Sequence, residues 1–229
     1  MECKLGLYIK KVDMKMKETS KFYLDELIER YPVLDICFND VYNATEELIK
    51  SYQNGGKLLV CGNGGSAADS EHIVGELMKG FILPRKLKPE LSDRLKENSN
   101  NFEYLYQNLQ YGLPAISLVS HTALSTAFAN DQAPDVCFAQ QVLGYGKSND
   151  VFLGISTSGS SKNVIYAAEV AKTLGLKTIA LTGGKESKLS RISDITIRVP
   201  SDVTFQIQEL HLPVYHAICL MLENEFFKE

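Results

Sequence analysis

His72 and Glu76 stand four residues apart in a run of small and apolar residues, Gly65-Ser66-Ala67-Ala68-Asp69-Ser70-Glu71-His72-Ile73-Val74-Gly75-Glu76, that reads as a helix. At about 100° per residue they lie about 40° apart, on one face. An imidazole beside a carboxylate can move a proton or hold a cation. Gln208 and His216, near the end of the chain, are eight residues apart. That is about 80° around a helix, so both can face one cleft, with His211 on a neighbouring face. The chain holds four histidines. The remaining one, His121, begins the helix expected from Ser120-His121-Thr122-Ala123-Leu124 and reads as structural. A lone helical histidine is most often a satisfied core residue, so spacing alone does not assign these side chains to chemistry.

The elements that position them carry a second signal. The His72 helix is entered from an apolar strand, Leu58 to Cys61, through Gly62-Asn63-Gly64-Gly65-Ser66. Strand, glycine turn and helix N-terminus together offer backbone N–H groups to an anion, usually a phosphate. The spacing is neither the G-x-G-x-x-G of a dinucleotide fold nor a P-loop with its Lys-Ser/Thr. A tight βα turn needing φ > 0 would explain the glycines equally well. The second turn decides. Val151 to Ile155 is again a strand, and it runs into Ser156-Thr157-Ser158-Gly159-Ser160-Ser161, five hydroxyls in six positions. One or two hydroxyls suffice to cap a helix; five make a cage whose hydroxyls and amides donate to phosphate oxygens. Two such turns at the C-terminal ends of parallel strands, where open α/β sheets take their ligands, imply a phosphorylated ligand. Lys162, just after the cage, reads as charge balance. The sequence carries no nicotinamide, flavin or pyridoxal signature, and no nucleotide cofactor is expected.

The rest of the chain supplies a frame for these turns. At 229 residues, 45% hydrophobic and 23% charged, it reads as one globular domain with a substantial core, residues 1–229. A net charge of −4 and a pI near 5.7 give no sign of a nucleic-acid or anionic-membrane partner. The five cysteines, Cys3, Cys37, Cys61, Cys137 and Cys219, are scattered through apolar sequence without a CxxC pair. They read as reduced core residues of a cytoplasmic protein. Met1 to Lys17 interleaves lysines with apolar residues and resembles neither a signal peptide nor a membrane span. Residues 19–53 read as helical, interrupted at Pro32, with an apolar stripe of Ile36, Val41, Leu48 and Ile49 ending at Asn54-Gly55-Gly56. Strands are expected at 57–61, 114–119, 150–155, 177–181 and 194–199. Helices are expected at 66–81, 121–129, 135–145, 160–174, 187–192 and 204–226, the last with Pro213 bending it and freeing a carbonyl near Glu209. This alternation predicts a three-layer α/β/α fold around a five-stranded parallel sheet, flavodoxin-like, with an N-terminal helical extension over residues 1–54.

Gly62-Asn63-Gly64-Gly65-Ser66, Ile155-Ser156-Thr157-Ser158-Gly159 and Ile207-Gln208-Glu209-Leu210-His211 resemble the sugar isomerase (SIS) domain family, in the right order and over about residues 35–225. Within it the resemblance is strongest to phosphoheptose isomerases, which interconvert sedoheptulose 7-phosphate and a glycero-manno-heptose 7-phosphate. The resemblance implies aldose–ketose isomerisation through an enediol, with Glu76 as the base and His216 as the acid/base opposite. It implies too that Asn63, Gly64, Gly65 and Gln208 face the sugar, and that Ser66, Ser156, Thr157, Ser158 and Ser161 hold the phosphate. Asn130 and Asp131 match a family loop that binds sugar hydroxyls, although locally they read equally well as a helix-terminating turn. Similar enzymes in some cases place zinc among the equivalents of His72, Glu76, Gln208 and His216, the glutamine being a poor zinc ligand. Homo-oligomers, tetramers or else dimers, are implied as well, with sites at subunit junctions.

One segment departs from the family pattern. Residues 83–111 form a polar, mixed-charge insertion, expected to hold helices at 90–98 and 102–110, which read as a cover over the site, as an oligomer interface or, the favoured reading, as a solvated decoration. Two other readings stay open beside the heptose isomerase: an isomerase of another phosphosugar, and a non-catalytic SIS module that binds a sugar phosphate. Such a module needs the phosphate cage but neither Glu76 nor His216.

Overall fold

The computed structural model describes residues 16–228. Cys3 and all of Met1 to Lys17 except its last two residues lie outside them. Five strands, β1 (Leu58–Cys61), β2 (Ala115–Ser117), β3 (Val151–Ser156), β4 (Lys177–Thr182) and β5 (Ile195–Arg198), form one sheet in the order β2-β1-β3-β4-β5. Every pairing is parallel. Because successive strand residues point to opposite faces, the sheet feeds two cores. Leu58, Val60, Val151, Leu153, Ile155, Ile179 and Leu181 pack on one side; Leu59, Cys61, Phe152 and Ala180 pack on the other. The near-continuous burial of β1 and β3 is what a sheet covered on both faces requires.

The first face is covered by α1 (Glu18–Arg30), α2 (Phe38–Gln53), α3 (Gly65–Met78) and α10 (Thr204–Phe227), and the second by α7 (Cys137–Tyr145), α8 (Lys162–Thr173) and α9 (Lys188–Ile192). The predicted three-layer fold and N-terminal helical segment are what the structure contains. Pro32 does interrupt the N-terminal helix, opening a 3-10 stretch over Pro32–Cys37. One member of the expected apolar stripe is corrected there. Leu34 and Cys37 are buried, but Ile36 is 75% exposed, since the three-residue period of a 3-10 turn points 34 and 37 inward and 36 out. The stripe proper runs through Val41, Ala44, Leu48 and Ile49. α10 passes through Pro213 as one continuous helix.

The 83–111 segment holds α4 (Pro89–Asn98) and α5 (Phe102–Asn108), neither with a buried residue. Its first residues behave otherwise. Arg85 is 1% exposed, and its Nε donates to Glu223 Oε1 of α10 at 2.9 Å. Glu223 also accepts the backbone N–H groups of Phe81, Ile82 and Leu83. The guanidinium donates further to the Leu77 and Glu76 carbonyls at 2.6 and 2.9 Å, which an ending α-helix would otherwise leave unpaired. Arg85 thus ties the C-terminal turn of α3 to α10, and the expectation of a solvated decoration holds only for α4 and α5. α6 (Thr122–Asp131) follows β2, with His121 at its start and no buried residue.

Candidate active site

Strand order brings the two predicted turns together. β1 and β3 are neighbours, so the Asn63–Gly65 and Ser156–Ser161 turns leave adjacent strand ends, at the point where the chain crosses from one edge of the sheet to the other. Open α/β sheets bind ligands in that crevice. Gly64 has φ +57°, a conformation that a Cβ disfavours. A Cβ at Gly65 would overlap the side-chain amide of Gln208, so the start of α10 lies directly on the glycine turn. The two turns are also clasped by side chains. Asn63 Nδ2 donates to Asn163 Oδ1 at 2.9 Å, and Asn163 Nδ2 donates back at 2.8 Å. Asn163 is a residue that the sequence motifs do not single out; its place on the first turn of α8, one residue past Lys162, is the only local clue to it.

The hydroxyls of the second turn are not spent on capping. Ser161 occupies the residue before α8 without a side-chain bond to the helix; its Oγ instead meets Ser156 Oγ at 3.1 Å. Ser158 is exposed and Thr157 half-buried, while Ser66 and Ser156 are 3% and 4% exposed. Asn130 and Asp131 form the exposed end of α6 rather than a loop, and Asn130 Nδ2 donates to Asp131 Oδ1 at 2.9 Å.

The residues expected to do acid–base chemistry assemble where α3 crosses α10. His72 Nε2 lies 3.3 Å from Glu76 Oε1, and Lys79 Nζ is 2.7 Å from Glu76 Oε2. The His72 and His216 rings are 5.0 Å apart and edge-on, and Phe81 packs 5.4 Å from His216. Burial pushes the His216 imidazole below its usual range; His72 and Arg30 push the same way, and Glu76 opposes them. A neutral His216 can accept a proton from a sugar hydroxyl. Its Nε2 is buried without a hydrogen-bond partner. On its other flank His216 lines a cavity of about 170 Å³ between α1 and α10, walled also by Tyr23, Glu26, Arg30 and Pro213. His211 is a core residue; burial drives it down to about 4 against a weaker pull from the Thr182 backbone.

Donor types suited to a divalent cation are present, with His72 Nε2 beside Glu76 and His216 Nε2 unpartnered. Among the described residues, however, no three His, Cys, Asp or Glu side chains converge as a metal cluster. No helix among them is long and apolar enough to cross a membrane.

Comparisons with known proteins place the chain in a family. The SIS domain model matches residues 33–112 and 108–183. A phosphoheptose isomerase of Helicobacter pylori (strain Shi470) is 42% identical over 179 residues, 78% of this chain and 80% of that protein. A probable phosphoheptose isomerase of Thermoplasma acidophilum is 38% identical over 193 residues, 84% and 92% of the two chains. The solved structure of a phosphoheptose isomerase from Francisella tularensis superposes with a TM-score of 0.70 at 31% identity, covering 91% of this chain and 100% of that one. The chain belongs to the phosphoheptose isomerase family of SIS-domain proteins.

Proposed function

We propose that this protein interconverts sedoheptulose 7-phosphate and D-glycero-D-manno-heptose 7-phosphate through an enediol. The observation that carries the reading is the joint presence of a hydroxyl-rich phosphate turn and an assembled Glu76/His72/His216 cluster, since a binding module needs only the first. Ser156, Thr157, Ser158 and Ser161, together with Ser66, hold the phosphate. Asn63, Gly64, Gly65 and Gln208 position the sugar chain, and Asn130 and Asp131 take hydroxyls at its rim. Glu76 removes the proton from the carbon next to the carbonyl. His216, whose partial burial disfavours the imidazolium, relays protons between the two oxygens of the enediol, and the proton then returns to the neighbouring carbon.

Gln208 lies on Gly65, far along α3 from Glu76, so His72, Glu76 and His216 of one copy with Gln208 of another would hold zinc; when bound, it would polarise the substrate carbonyl as a Lewis acid. Glu76 lies ten residues beyond Ser66, about 15 Å along α3 at ~1.5 Å per residue. That span, together with Phe22, Val33 and Ile36 left 60%, 53% and 75% exposed on the N-terminal helices, supports a homo-oligomer, a tetramer or a dimer, in which one copy's phosphate turn meets another's acid–base cluster. The protein is assigned to the cytoplasm as one SIS domain with an N-terminal helical extension over residues 1–54 and an insertion at 83–111.

Incubation with sedoheptulose 7-phosphate, with the products read by NMR, tests the reaction. An aldoheptose phosphate formed by the wild type and not by Glu76→Gln supports it. Binding without turnover would point to the non-catalytic reading or to another phosphosugar. Chelation that abolishes turnover, with zinc restoring it, supports the metal; indifference to chelator removes it.

A further inference from the structure

A second layer of side chains reaches Glu76 through His72. Tyr215, beside His216 on α10, is 2% exposed, and its hydroxyl lies 3.0 Å from His72 Nδ1. The same hydroxyl donates to Asp69 Oδ1 at 3.3 Å. Asp69 stands one turn before His72 on α3, and its Oδ2 is buried without a partner. An ionised carboxylate only accepts hydrogen bonds, so the Tyr215 proton is committed to Asp69 and the Tyr215 oxygen is left to accept from His72. His72 then carries a proton on Nδ1, and its Nε2 faces Glu76 Oε1 at 3.3 Å, two acceptors that need a shared proton or a cation between them. Without this bond little would hold the ring, since the His72 side chain is 42% exposed. Besides Glu76, the edge-on rings of Tyr215 and His216 stand 5.5 and 5.0 Å from it.

We propose that Tyr215, held by Asp69, is a positioning residue that fixes the tautomer and ring orientation of His72 and so aims its Nε2 at Glu76. The inference rests on the acid–base reading of the site given above. A tyrosine buried only for packing would need one partner for its hydroxyl. This one bridges two polar groups on successive turns of the helix that carries Glu76. Partners of this kind, which orient a functional imidazole from behind, typically matter about 10- to 100-fold in activity.

Tyr215→Phe removes one oxygen and keeps the ring. With sedoheptulose 7-phosphate, kcat should fall about tenfold while KM stays within about twofold, with the melting temperature unchanged. Asp69→Ala should fall in parallel, and Asp69→Asn, whose amide oxygen still accepts, should keep most of the activity. Tyr215→Phe combined with His72→Ala should be no slower than His72→Ala alone, as expected of a residue acting through His72. Wild-type kcat in Tyr215→Phe, or additive losses in the double variant, overturns the proposal. If the wild type does not turn over sedoheptulose 7-phosphate, the assigned reaction fails, and positioning is read instead by histidine-selective nitrogen NMR with His72 assigned through His72→Ala. A single Nδ1–H tautomer in the wild type that averages in Tyr215→Phe supports the proposal; identical His72 shifts in both proteins overturn it.

Discussion

At the proposed phosphate end of the site Ser156 meets Ser161 across five positions of chain, whereas at the proposed acid–base end His72 meets Tyr215 across 143. The first end is a single strand-to-helix turn whose groups are set by local backbone geometry, and several hydroxyls share the load. The second exists only because α3 and α10 cross at one place, a crossing held from below by the buried Arg85–Glu223 pair. Redundant local contacts should make the phosphate end tolerant of single changes. The acid–base end should fail at its one base, and also at a residue that never touches substrate.

The largest effect separates the two ends directly. Glu76→Gln should lower kcat by about 10³-fold or more, within the range of lost general-base catalysis, while sugar-phosphate affinity measured by calorimetry stays close to wild type. Full turnover in that variant would remove Glu76 as base and the comparison with it.

Arg85→Met should come next. It leaves Glu223 buried without its cation, and breaking such a pair costs about 3–5 kcal/mol, visible as a lower denaturant midpoint. Residual kcat should suffer more than phosphate affinity, because α3 is loosened at its Glu76 end. Equal damage to both would mean that the crossing supports the phosphate turns too.

The pH dependence of folding has a source in His211. Its native pKa of about 4 lies below the unfolded value near 6.5, so between those pH values the unfolded chain binds more protons and stability rises with pH. The contribution is roughly 3–3.5 kcal/mol, at ~1.36 kcal/mol per pKa unit. It is lost as pH falls from 6.5 towards 4, and His211→Phe should flatten the profile by that amount. An unchanged profile would show that His211 is not held neutral.

Ser158→Ala should have the smallest effect, about a tenfold loss of affinity for phosphorylated ligands, in line with one lost hydrogen bond of ~1–1.5 kcal/mol. kcat should hold at saturating substrate. An unchanged dissociation constant would remove Ser158 from the phosphate cage.

Much of this is legible in the chain. Apolar, β-branched runs separated by helical periods give the parallel sheet, and the glycine and hydroxyl turns stand out because their composition is local. The His72/Glu76 pair is equally readable, since residues four apart must share a helix face. Tyr215, Asp69 and Asn163 are not. Each meets a partner about a hundred positions or more away, and no local motif identifies that partner. Arg85 is misread with its surroundings, because a charged residue in a polar stretch reads as solvated until a buried carboxylate is found opposite it.

The sequence by itself therefore determined the elements, the sheet type, the glycine-rich and hydroxyl-rich turns and the face that His72 shares with Glu76, all consequences of short-range periodicity and backbone sterics. Only the tertiary structure decided that β1 lies beside β3, that Gln208 covers Gly65, that Tyr215 and Asp69 stand behind His72, and that Arg85 locks α3 to α10. Those depend on which apolar faces pack together, and burial brings polar groups far apart in sequence into hydrogen-bonding reach of one another.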